Sequence, residues 1–562
     1  MSDVCYFIGI GGTGGRVARG LLHLCDCGYL KNVRKLKMLV IDSDKRNGNK
    51  TKLEEALDLY VRCRNDLYGD GGGGADDLFN TKIERVPGLN SWSVSPVESN
   101  NKLARHYLND YVVDENVAEG DYMMRLLYNQ HEREQLDMGQ GFFAHPSLGS
   151  FAFYKWVEKW ETDNSEFNYL LRDIGTELGS SNVKVFIVGS AFGGTGASGF
   201  PAVAQAIQAR AKALMNVMPV NRLVVAGALY MPYFTVTTNL AATSTVDFDE
   251  FAKATKRAMD FYETNSDVGA FNRVYAIGAA INDGKIERNE NYDEGGEKQD
   301  NWPHMLELFG ALASKEVFEA DLMQNADLGA INNPWHGIGV DKAFREISWR
   351  DLPTAGDENG LELKKRLNNF ILLSSVFIPA FVSKFMEEVQ GSADWDFKRV
   401  RSVRESFRPI LRQPFLNTAL RMGQRNRSWN NDETDAVRGP IMNMNRYFEL
   451  HATWFCRLLH EFKPEPATAA DEKYGNVIFT NLVGSKLIKY KAENPLNGIL
   501  YTGSGNNLGT DLQGRDGAFD YGELAVRILN NADHDLKGKY PAALPTVSQM
   551  IRRIYKICGS FL

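Results

Sequence analysis

The stretch Val4-Cys-Tyr-Phe-Ile-Gly-Ile-Gly-Gly-Thr-Gly-Gly15 decides the fold class. A short β-branched and aromatic run passes directly into glycines, and apolar residues then recur at helical spacing from Val17 to Leu24. This order predicts a buried parallel strand, a glycine-rich loop and a helix. A second apolar run at 37–41 ends in Asp42-Ser-Asp44, and alternation of such strands with helices predicts a mostly parallel α/β sheet covered on both faces.

The alternation of strands and helices continues to about residue 320. The apolar patterns predict strands at 183–188, 222–229 and 273–280, and helices at 151–163, 167–178, 247–263 and 302–320. The strand at 183–188 leads into a second glycine-rich loop, Gly189-Ser-Ala-Phe-Gly-Gly-Thr-Gly-Ala-Ser-Gly-Phe-Pro201. We expect Pro201 to open the helix that follows, because its missing N–H falls where none is needed.

Two regions depart from this pattern. Residues 45–138 are polar and irregular, and we expect an insertion there, with the glycine run at 69–75 as a solvated loop. From about residue 351 the alternation is lost and the sequence reads as largely helical. The sequence thus predicts an α/β domain over 1–350 and a divergent, mainly helical C-terminal domain over 351–562.

Composition excludes several classes of protein. The 562 residues carry 64 Lys+Arg against 71 Asp+Glu, a net charge of −7. This charge argues against a protein that coats nucleic acid over its whole surface, but it does not exclude nucleic-acid binding by a local basic segment. No secretory signal and no membrane span is recognisable, so we expect a cytoplasmic protein.

The cysteine and histidine spacings predict no metal site. The six cysteines lack CxxC spacing and are expected to be free buried thiols. His23, Cys25 and Cys27 lie on different sides of a helix and cannot converge on one ion.

The two glycine-rich loops point to polyphosphate binding. Each ends a predicted parallel strand and opens a helix, where free N–H groups and the helix dipole attract anions. Thr13 and Thr195 offer hydroxyls to phosphate oxygens or to a water on a metal ion. The pattern Gly9-x-Gly11-x-x-Gly14 with Asp42 after the next strand also matches the dinucleotide fingerprint, but that fold does not require the second loop. Neither loop is a Walker-A loop.

Several of these motifs together resemble the tubulin/FtsZ superfamily of GTPases. Phe192-Gly-Gly-Thr-Gly-Ala-Ser-Gly199 is similar to the family's GGGTGS/TG signature, with Phe in place of the first glycine. The loop 9–15 resembles its first loop and Asp42-Ser-Asp44 its second. Gly139-Gln-Gly141 with His145-Pro-Ser-Leu-Gly149 is similar to its γ-phosphate-sensing loop, and residues 229–234 to its fifth loop.

The resemblance implies a Rossmann-like tubulin/FtsZ nucleotide-binding domain that binds GTP or GDP with Mg²⁺. It implies slow GTP hydrolysis at subunit interfaces, coupled to self-association into filaments. The nucleotide-binding residues that it implies are Gly11, Gly12, Thr13, Gly14, Arg16, Asp42, Asp44, Gly139, Gly141, His145, Pro146, Gly149, Gly193, Gly194, Thr195, Gly196, Ala197 and Asn301.

Three of the implied roles carry a specific qualification. Arg16 stands where the bacterial family has a guanine-reading Asn, and Arg donates but cannot accept hydrogen bonds. Asn301 is the candidate for the second base reader, or else the N-cap of the helix after it. In Gln324-Asn-Ala-Asp-Leu328, Asn325 and Asp327 match a catalytic element of the family's seventh loop, with a polar surface helix end as the alternative.

Two alternative functions stay open. One is a non-polymerising nucleotide-dependent switch or scaffold that recruits partner proteins, and the other is a Rossmann-type NAD or FAD oxidoreductase. Residues 398–427 contain nine basic residues and one acid. Such a segment suits an acidic protein partner, the next subunit, nucleic acid or anionic lipid, with a solvated surface as the alternative.

Overall fold

The computed structural model describes residues 3–97, 126–134, 136–142, 146–158, 166–214, 222–233, 248–265, 267–279, 299, 301–320, 335–340, 349–377, 431–460, 528, 531–532, 534–535 and 547–559. The chain divides into two compact units. Unit 1 comprises Met1–Leu21, Val33–Glu55 and Ile83–Asp341, and unit 2 comprises Leu22–Asn32, Ala56–Lys82 and Lys342–Leu562. Unit 2 therefore takes two segments from the N-terminal part of the chain, which the expected boundary at 350 had left in the first domain.

An eight-stranded sheet forms the framework of unit 1. Its strands are β1 (Asp3–Ile10), β2 (Lys35–Ile41), β3 (Lys82–Glu84), β4 (Ser93–Val94), β5 (Asn182–Ser190), β6 (Leu223–Tyr230), β7 (Arg273–Ala279) and β8 (Trp335–Val340). The order is β3-β2-β1-β5-β6-β7-β8, and β4 lies beside β2. Neighbouring strands from β2 to β8 in this order are all parallel to each other. The predicted mostly parallel, Rossmann-like α/β sheet is confirmed.

The strands are buried along almost their whole length. Every residue of β6 is buried, and so is every residue of β1 and β5 after the first. Continuous burial is typical of parallel strands that helices cover on both faces. Each large apolar side chain removed from water here contributes roughly 1.5–3 kcal/mol, so burial of the sheet stabilises unit 1 substantially.

The helices of unit 1 connect these strands. They are α1 (Gly11–Asp26), α2 (Gly48–Tyr68), α3 (Gln130–Glu134), α4 (Pro146–Glu158), α5 (Glu166–Leu178), α6 (Gly194–Leu214), α7 (Phe248–Asn265) and α8 (Met305–Glu319). Unit 2 takes α1 from Leu22 onward and the larger part of α2, from Ala56 onward. The prediction of irregular structure is wrong for 48–68, because Leu53, Ala56, Leu57 and Tyr60 form a buried stripe on an otherwise polar helix. The glycine run at 69–75 is a loop, and Gly69 to Gly72 are exposed.

Pro201 does not open its helix, contrary to our expectation. Helix α6 begins at Gly194, so Pro201 lies inside it. A proline at this position has no N–H to give to the carbonyl of the residue four positions earlier, Ala197. The hydroxyl of Tyr262, on α7, donates a hydrogen bond to that carbonyl instead. The helix therefore continues through the proline with its orphaned acceptor satisfied from a neighbouring helix.

The described elements of unit 2 after residue 360 are helices: α9 (Leu361–Phe377), α10 (Asn431–His460) and α11 (Val547–Cys558). Their contacts join the N-terminal segments of this unit to its C-terminal part. Asp77 accepts hydrogen bonds from Arg552 at 2.7 Å and forms an ion pair with Lys556 at 2.8 Å. Gly28 has φ +68° and approaches the Asp77 carbonyl so closely that a Cβ would lie 2.4 Å from its oxygen.

The cysteines and the helices bear on two expectations. Cys5, Cys25, Cys27, Cys63 and Cys558 are free and buried, as predicted, and Cys456 lies among side chains that the structure does not describe. Among the described helices, none combines the length with the apolar composition that a membrane crossing requires.

Candidate functional site

The two glycine-rich loops lie side by side at the carboxyl ends of β1 and β5. The chain leaves β1 for β2 on one side and later returns to β5 on the other, so the strand order reverses between these two strands. In open α/β sheets, ligands bind in the crevice that such a reversal creates. A Cβ on Gly11 would lie 3.4 Å from the Cβ of Thr195 and 3.5 Å from the backbone nitrogen of Gly196, so the loops are in contact.

Packing explains some of the loop glycines. A Cβ on Gly14 would lie 2.5 Å from the carbonyl carbon of Gly9 and 2.9 Å from the carbonyl oxygen of Val188. A Cβ on Gly196 would lie 2.6 Å from the backbone nitrogen of Ser190. Both glycines let a helix begin directly against a strand end. Gly11 is required for a different reason, since its φ of +68° lies in the left-handed region.

Packing does not explain Gly12 or Gly15. A Cβ on Gly12 would meet only Arg16 Nη1, at 3.7 Å, and a Cβ on Gly15 would meet nothing within 4 Å. Both residues are partly exposed, but only Gly12 lies among the first four residues of α1, whose backbone N–H groups lack partners within the helix. Gly12 thus leaves open space beside backbone donors, as an anion-binding loop requires.

Hydroxyl and carboxylate groups from the end of β2 join the loops. Ser43 Oγ lies 3.2 Å from Thr195 Oγ1, and both residues are buried. Asp42 accepts a hydrogen bond from the Asp44 N–H at 3.1 Å, and Lys50 Nζ donates to the Asp44 carbonyl at 2.8 Å. The predicted residues from three strand ends, β1, β2 and β5, are therefore brought together.

Burial changes the acidity of Asp42. Removal from water raises the pKa of its carboxyl to about 6, against the opposing effects of the Lys50 charge and of backbone N–H groups. Unlike a surface carboxylate, Asp42 therefore carries a proton for part of the time at mildly acidic pH.

Arg16 is held in a buried network. Its Nη2 donates to the Tyr233 hydroxyl at 2.7 Å, and its Nε donates to Glu307 Oε1, which also accepts from the Tyr233 hydroxyl at 2.8 Å. Arg16 is 6% exposed. Its guanidinium is therefore fixed beside the first loop by a carboxylate and a phenol, with Nη1 close to Gly12.

Helix α8 is not capped by Asn301, for which an N-cap was one of two alternative roles. His304, not Asn301, is the N-cap: its Nδ1 accepts from the Leu306 N–H at 3.1 Å, and Glu307 Oε2 accepts from the His304 N–H at 3.0 Å. Burial and the Arg16 charge lower the pKa of His304 to about 3, so the ring stays neutral and can accept. Asn301 is buried before the helix, and its N–H donates to Asn49 Oδ1 at 3.0 Å.

The segment predicted to sense a γ-phosphate reaches the second loop at one end. Pro146 is the first residue of α4, and a Cβ on Gly149 would overlap the Ser198 side chain and lie 2.8 Å from the Gly194 carbonyl oxygen. The start of α4 therefore packs on the start of α6. Gly139 and Gly141 belong to a turn before it, in which Asp137 accepts the Gly139 N–H at 2.9 Å and Gly141 has φ +120°.

Other predicted residues lie outside the described part of the chain. These are His145, Asn325, Asp327 and the basic segment 398–427.

Sequence reasoning missed several residues of the site. Ser43, Lys50, Tyr233, His304 and Glu307 were not among the predicted binding residues, although Tyr233 lies in the fifth-loop motif. The spacing of His304 and Glu307 is that of a capping box, which is usually recognised only when it begins with Ser or Thr. The pairing of Arg16 with Glu307 spans 291 positions and has no local signal.

Comparison with known proteins adds no relative. No protein-family model matches the chain, and no curated protein or solved structure matches it.

Proposed function

We propose that unit 1 binds a nucleoside triphosphate with Mg²⁺, with GTP as the expected nucleotide, and hydrolyses it slowly in step with self-association. One observation carries the proposal. The glycine-rich N-termini of α1 and α6 lie against each other where the strand order reverses between β1 and β5. The assembly and hydrolysis parts rest on the resemblance to the tubulin/FtsZ superfamily.

Two helix N-termini suit a polyphosphate better than a single charged group. Each terminus offers unpaired N–H groups and roughly half a positive charge. Gly12 and Gly193 are partly exposed near the starts of the two helices, and neither has a side chain to keep phosphate oxygens from the backbone. Arg16 adds guanidinium N–H donors beside Gly12, and Glu307 balances its charge.

The oxygen groups at this crevice fit Mg²⁺. Ser43, Thr195 and Asp42 supply hydroxyl and carboxylate oxygens, the ligand type that Mg²⁺ prefers together with phosphate and water. Bound there, the ion would neutralise charge on the phosphates. Thr13, 5% exposed, and Thr195 would hold phosphate oxygens or waters of the ion.

Arg16 has a different role in this proposal from that of the family's guanine-reading Asn. Because Glu307 and Tyr233 fix its guanidinium next to Gly12, it offers N–H donors near the phosphates. Asn301 remains the candidate for reading the base.

A second candidate function has one specific observation in its favour. The close packing of Gly14 on Gly9 and Val188 is the contact that the third glycine makes in a dinucleotide fingerprint, and Asp42 follows the next strand. An NAD- or FAD-dependent oxidoreductase is therefore the alternative that the test must distinguish.

The test is the identity of the nucleotide that the purified chain carries. The nucleotide released by denaturing the protein is identified by chromatography. A second sample, freed of nucleotide without denaturation, is titrated with labelled GTP, ATP and NAD. Bound guanine nucleotide, or Mg²⁺-dependent GTP affinity, supports the proposal. Released NAD or FAD, or no affinity for any nucleoside triphosphate, rejects it.

Three glycine variants separate binding from folding. We expect Gly12→Ala to fold with an unchanged melting temperature and to bind GTP at least about tenfold more weakly, a loss of ~1.4 kcal/mol. Gly15→Ala is the matched control and should change neither property, because its Cβ meets nothing. Gly14→Ala should lower the melting temperature or prevent folding, because its Cβ would overlap the backbone of Gly9. Equal GTP affinities for Gly12→Ala and Gly15→Ala would place the phosphates elsewhere.

A further inference from the structure

Two histidines and an aspartate that lie far apart in sequence meet in the interior of unit 2. His23 and Asp26 lie in the last turn of α1 and His451 lies on α10, and all three side chains are fully buried. Asp26 Oδ2 is 2.9 Å from Nδ1 of His23 and 2.9 Å from Nδ1 of His451, and the two Nδ1 atoms are 3.2 Å apart. No other group of three or more such residues with converging ligand atoms occurs in the described chain.

Hydrogen bonds alone leave this triangle of atoms crowded. If both Nδ1 atoms carry hydrogens and donate to Asp26 Oδ2, the two donors lie 3.2 Å apart and share one carboxylate oxygen, which also accepts from Tyr447. If one Nδ1 is unprotonated, its lone pair faces a carboxylate oxygen at 2.9 Å. A cation that takes both lone pairs and the carboxylate oxygen as ligands satisfies all three atoms together.

The distances fit a metal ion of zinc size. Zinc binds imidazole nitrogen and carboxylate oxygen at about 2.0–2.2 Å, so neighbouring ligand atoms of a tetrahedral site are roughly 3.3–3.5 Å apart. The triangle here has edges of 2.9, 2.9 and 3.2 Å and needs to widen only slightly. Two imidazoles with one carboxylate form a ligand set suited to zinc and to iron, and poorly suited to Mg²⁺ or Ca²⁺.

Neighbouring side chains orient these ligands, and one carboxylate oxygen of Asp26 remains without a hydrogen-bond donor in the described part of the chain. The Tyr447 hydroxyl donates to Asp26 Oδ2 at 2.9 Å, the kind of support that ligating carboxylates receive in metal sites. Rings of Trp454 and Phe370 lie 4.5 Å from those of His23 and His451. Asp26 Oδ1 is buried and has no hydrogen-bond partner among the described residues.

We propose that His23, Asp26 and His451 bind a divalent transition-metal ion, zinc in the first instance, inside unit 2. The site is independent of nucleotide binding by unit 1. A buried carboxylate is costly without a compensating charge, and the ion provides it. The ion also joins the end of α1 to α10, two elements separated by more than 400 residues of chain, so it contributes to the folding of unit 2.

The first experiment measures metal content. The full chain is purified without a metal-affinity step and without chelator, and its metals are quantified by inductively coupled plasma mass spectrometry. We expect one zinc ion per chain, and loss of most of it in Asp26→Asn, which keeps the shape of the side chain, and in His451→Ala. His336→Ala is the matched control, an exposed histidine on β8 that should leave the content unchanged.

The second experiment needs no variant to fold. Wild-type protein is stripped with a chelator and melted with increasing Zn²⁺, and the melting temperature should rise with the logarithm of the zinc concentration. Co²⁺ in place of zinc should give the visible absorption of a tetrahedral site with nitrogen ligands. Wild-type protein without metal and without a response to Zn²⁺ overturns the proposal, leaving a buried hydrogen-bonded cluster. Metal that both variants retain overturns it equally, because the ion then lies elsewhere.

Discussion

At the residue scale, the site combines groups with opposite responses to burial. Asp42 gains a proton more readily than in water, whereas His304 resists protonation, and desolvation is the largest cause in both cases. The types and places of Asp42, Thr13 and Thr195 were predictable, because the two threonines lie within glycine loops and Asp42 directly follows a strand. The partners of Arg16 were not, because Tyr233 and Glu307 come from elements more than 200 positions away.

Asp42→Asn should make unit 1 more stable at neutral and alkaline pH. The pKa of Asp42 is about 6 in the folded chain and about 3.9 when unfolded, so the unfolded chain loses the proton first. The free energy of unfolding therefore falls as pH rises from about 4 to 6, by up to ~3 kcal/mol, and stays lower above that range. The variant avoids this loss.

Thermal melts without nucleotide at pH 4 and pH 8 measure the effect. The melting temperature of Asp42→Asn should exceed that of the wild type at pH 8, and the difference should shrink at pH 4. Glu263→Gln removes an exposed carboxylate from α7 and serves as the control. An equal difference at both pH values would contradict the assigned cause.

At the element scale, the spacing of apolar residues and the positions of glycine and proline predicted the main strands and most helices within a few residues. They failed where a polar helix carries a narrow buried stripe, as in α2, and where strands as short as β3 and β4 have only sheet pairing to define them. They also failed at Pro201, because the hydroxyl that compensates for the missing N–H comes from Tyr262, 65 positions from the carbonyl that it bonds. Rules for proline in helices consider only the segment that contains the proline, so they miss a hydrogen-bond donor from another helix.

Tyr262→Phe should destabilise unit 1 by about 1–3 kcal/mol, because it leaves the buried Ala197 carbonyl without a partner. Tyr154→Phe is the matched control and should stay within about 0.5 kcal/mol, since Tyr154 is 64% exposed. In a Pro201→Ala background the helix supplies its own N–H, so the loss from Tyr262→Phe should become smaller. Denaturant unfolding of the four combinations gives the coupling. Additive effects would show that Tyr262 does not compensate for the proline.

At the scale of the whole molecule, the sequence predicted two consecutive domains that divide at residue 350, whereas the contacts of the folded chain define two units that each combine separate segments. It did not predict that segments 22–32 and 56–82 belong with the C-terminal part. The helical spacing at the start of each segment does not indicate which unit the segment joins, and only contacts such as those of Asp77 with Arg552 and Lys556 reveal it. Domain assignment from composition follows chain order, whereas compact units follow contacts.

Hydrolysis between subunits, as proposed, predicts turnover per chain that rises with protein concentration. Asp327→Ala should keep GTP binding but lower turnover at high concentration by roughly 100-fold, as loss of a water-positioning carboxylate does. Phosphate release measured over a concentration series, with light scattering in parallel, tests both statements. Turnover per chain that is independent of concentration would favour the non-polymerising switch.

Unit 2 combines segments from both ends of the chain, which affects when it can fold during synthesis. Its segment 56–82 carries Tyr60 and Phe79, whose rings pack against Tyr447 on α10. At a translation rate of about 5–20 residues per second, roughly 10–50 s pass between the emergence of that segment and the start of the C-terminal part. During this interval the aromatic side chains have no native partner on α10. Unit 2 can therefore complete its fold only late in translation, and the nascent chain is a natural client for chaperones that shield exposed apolar segments.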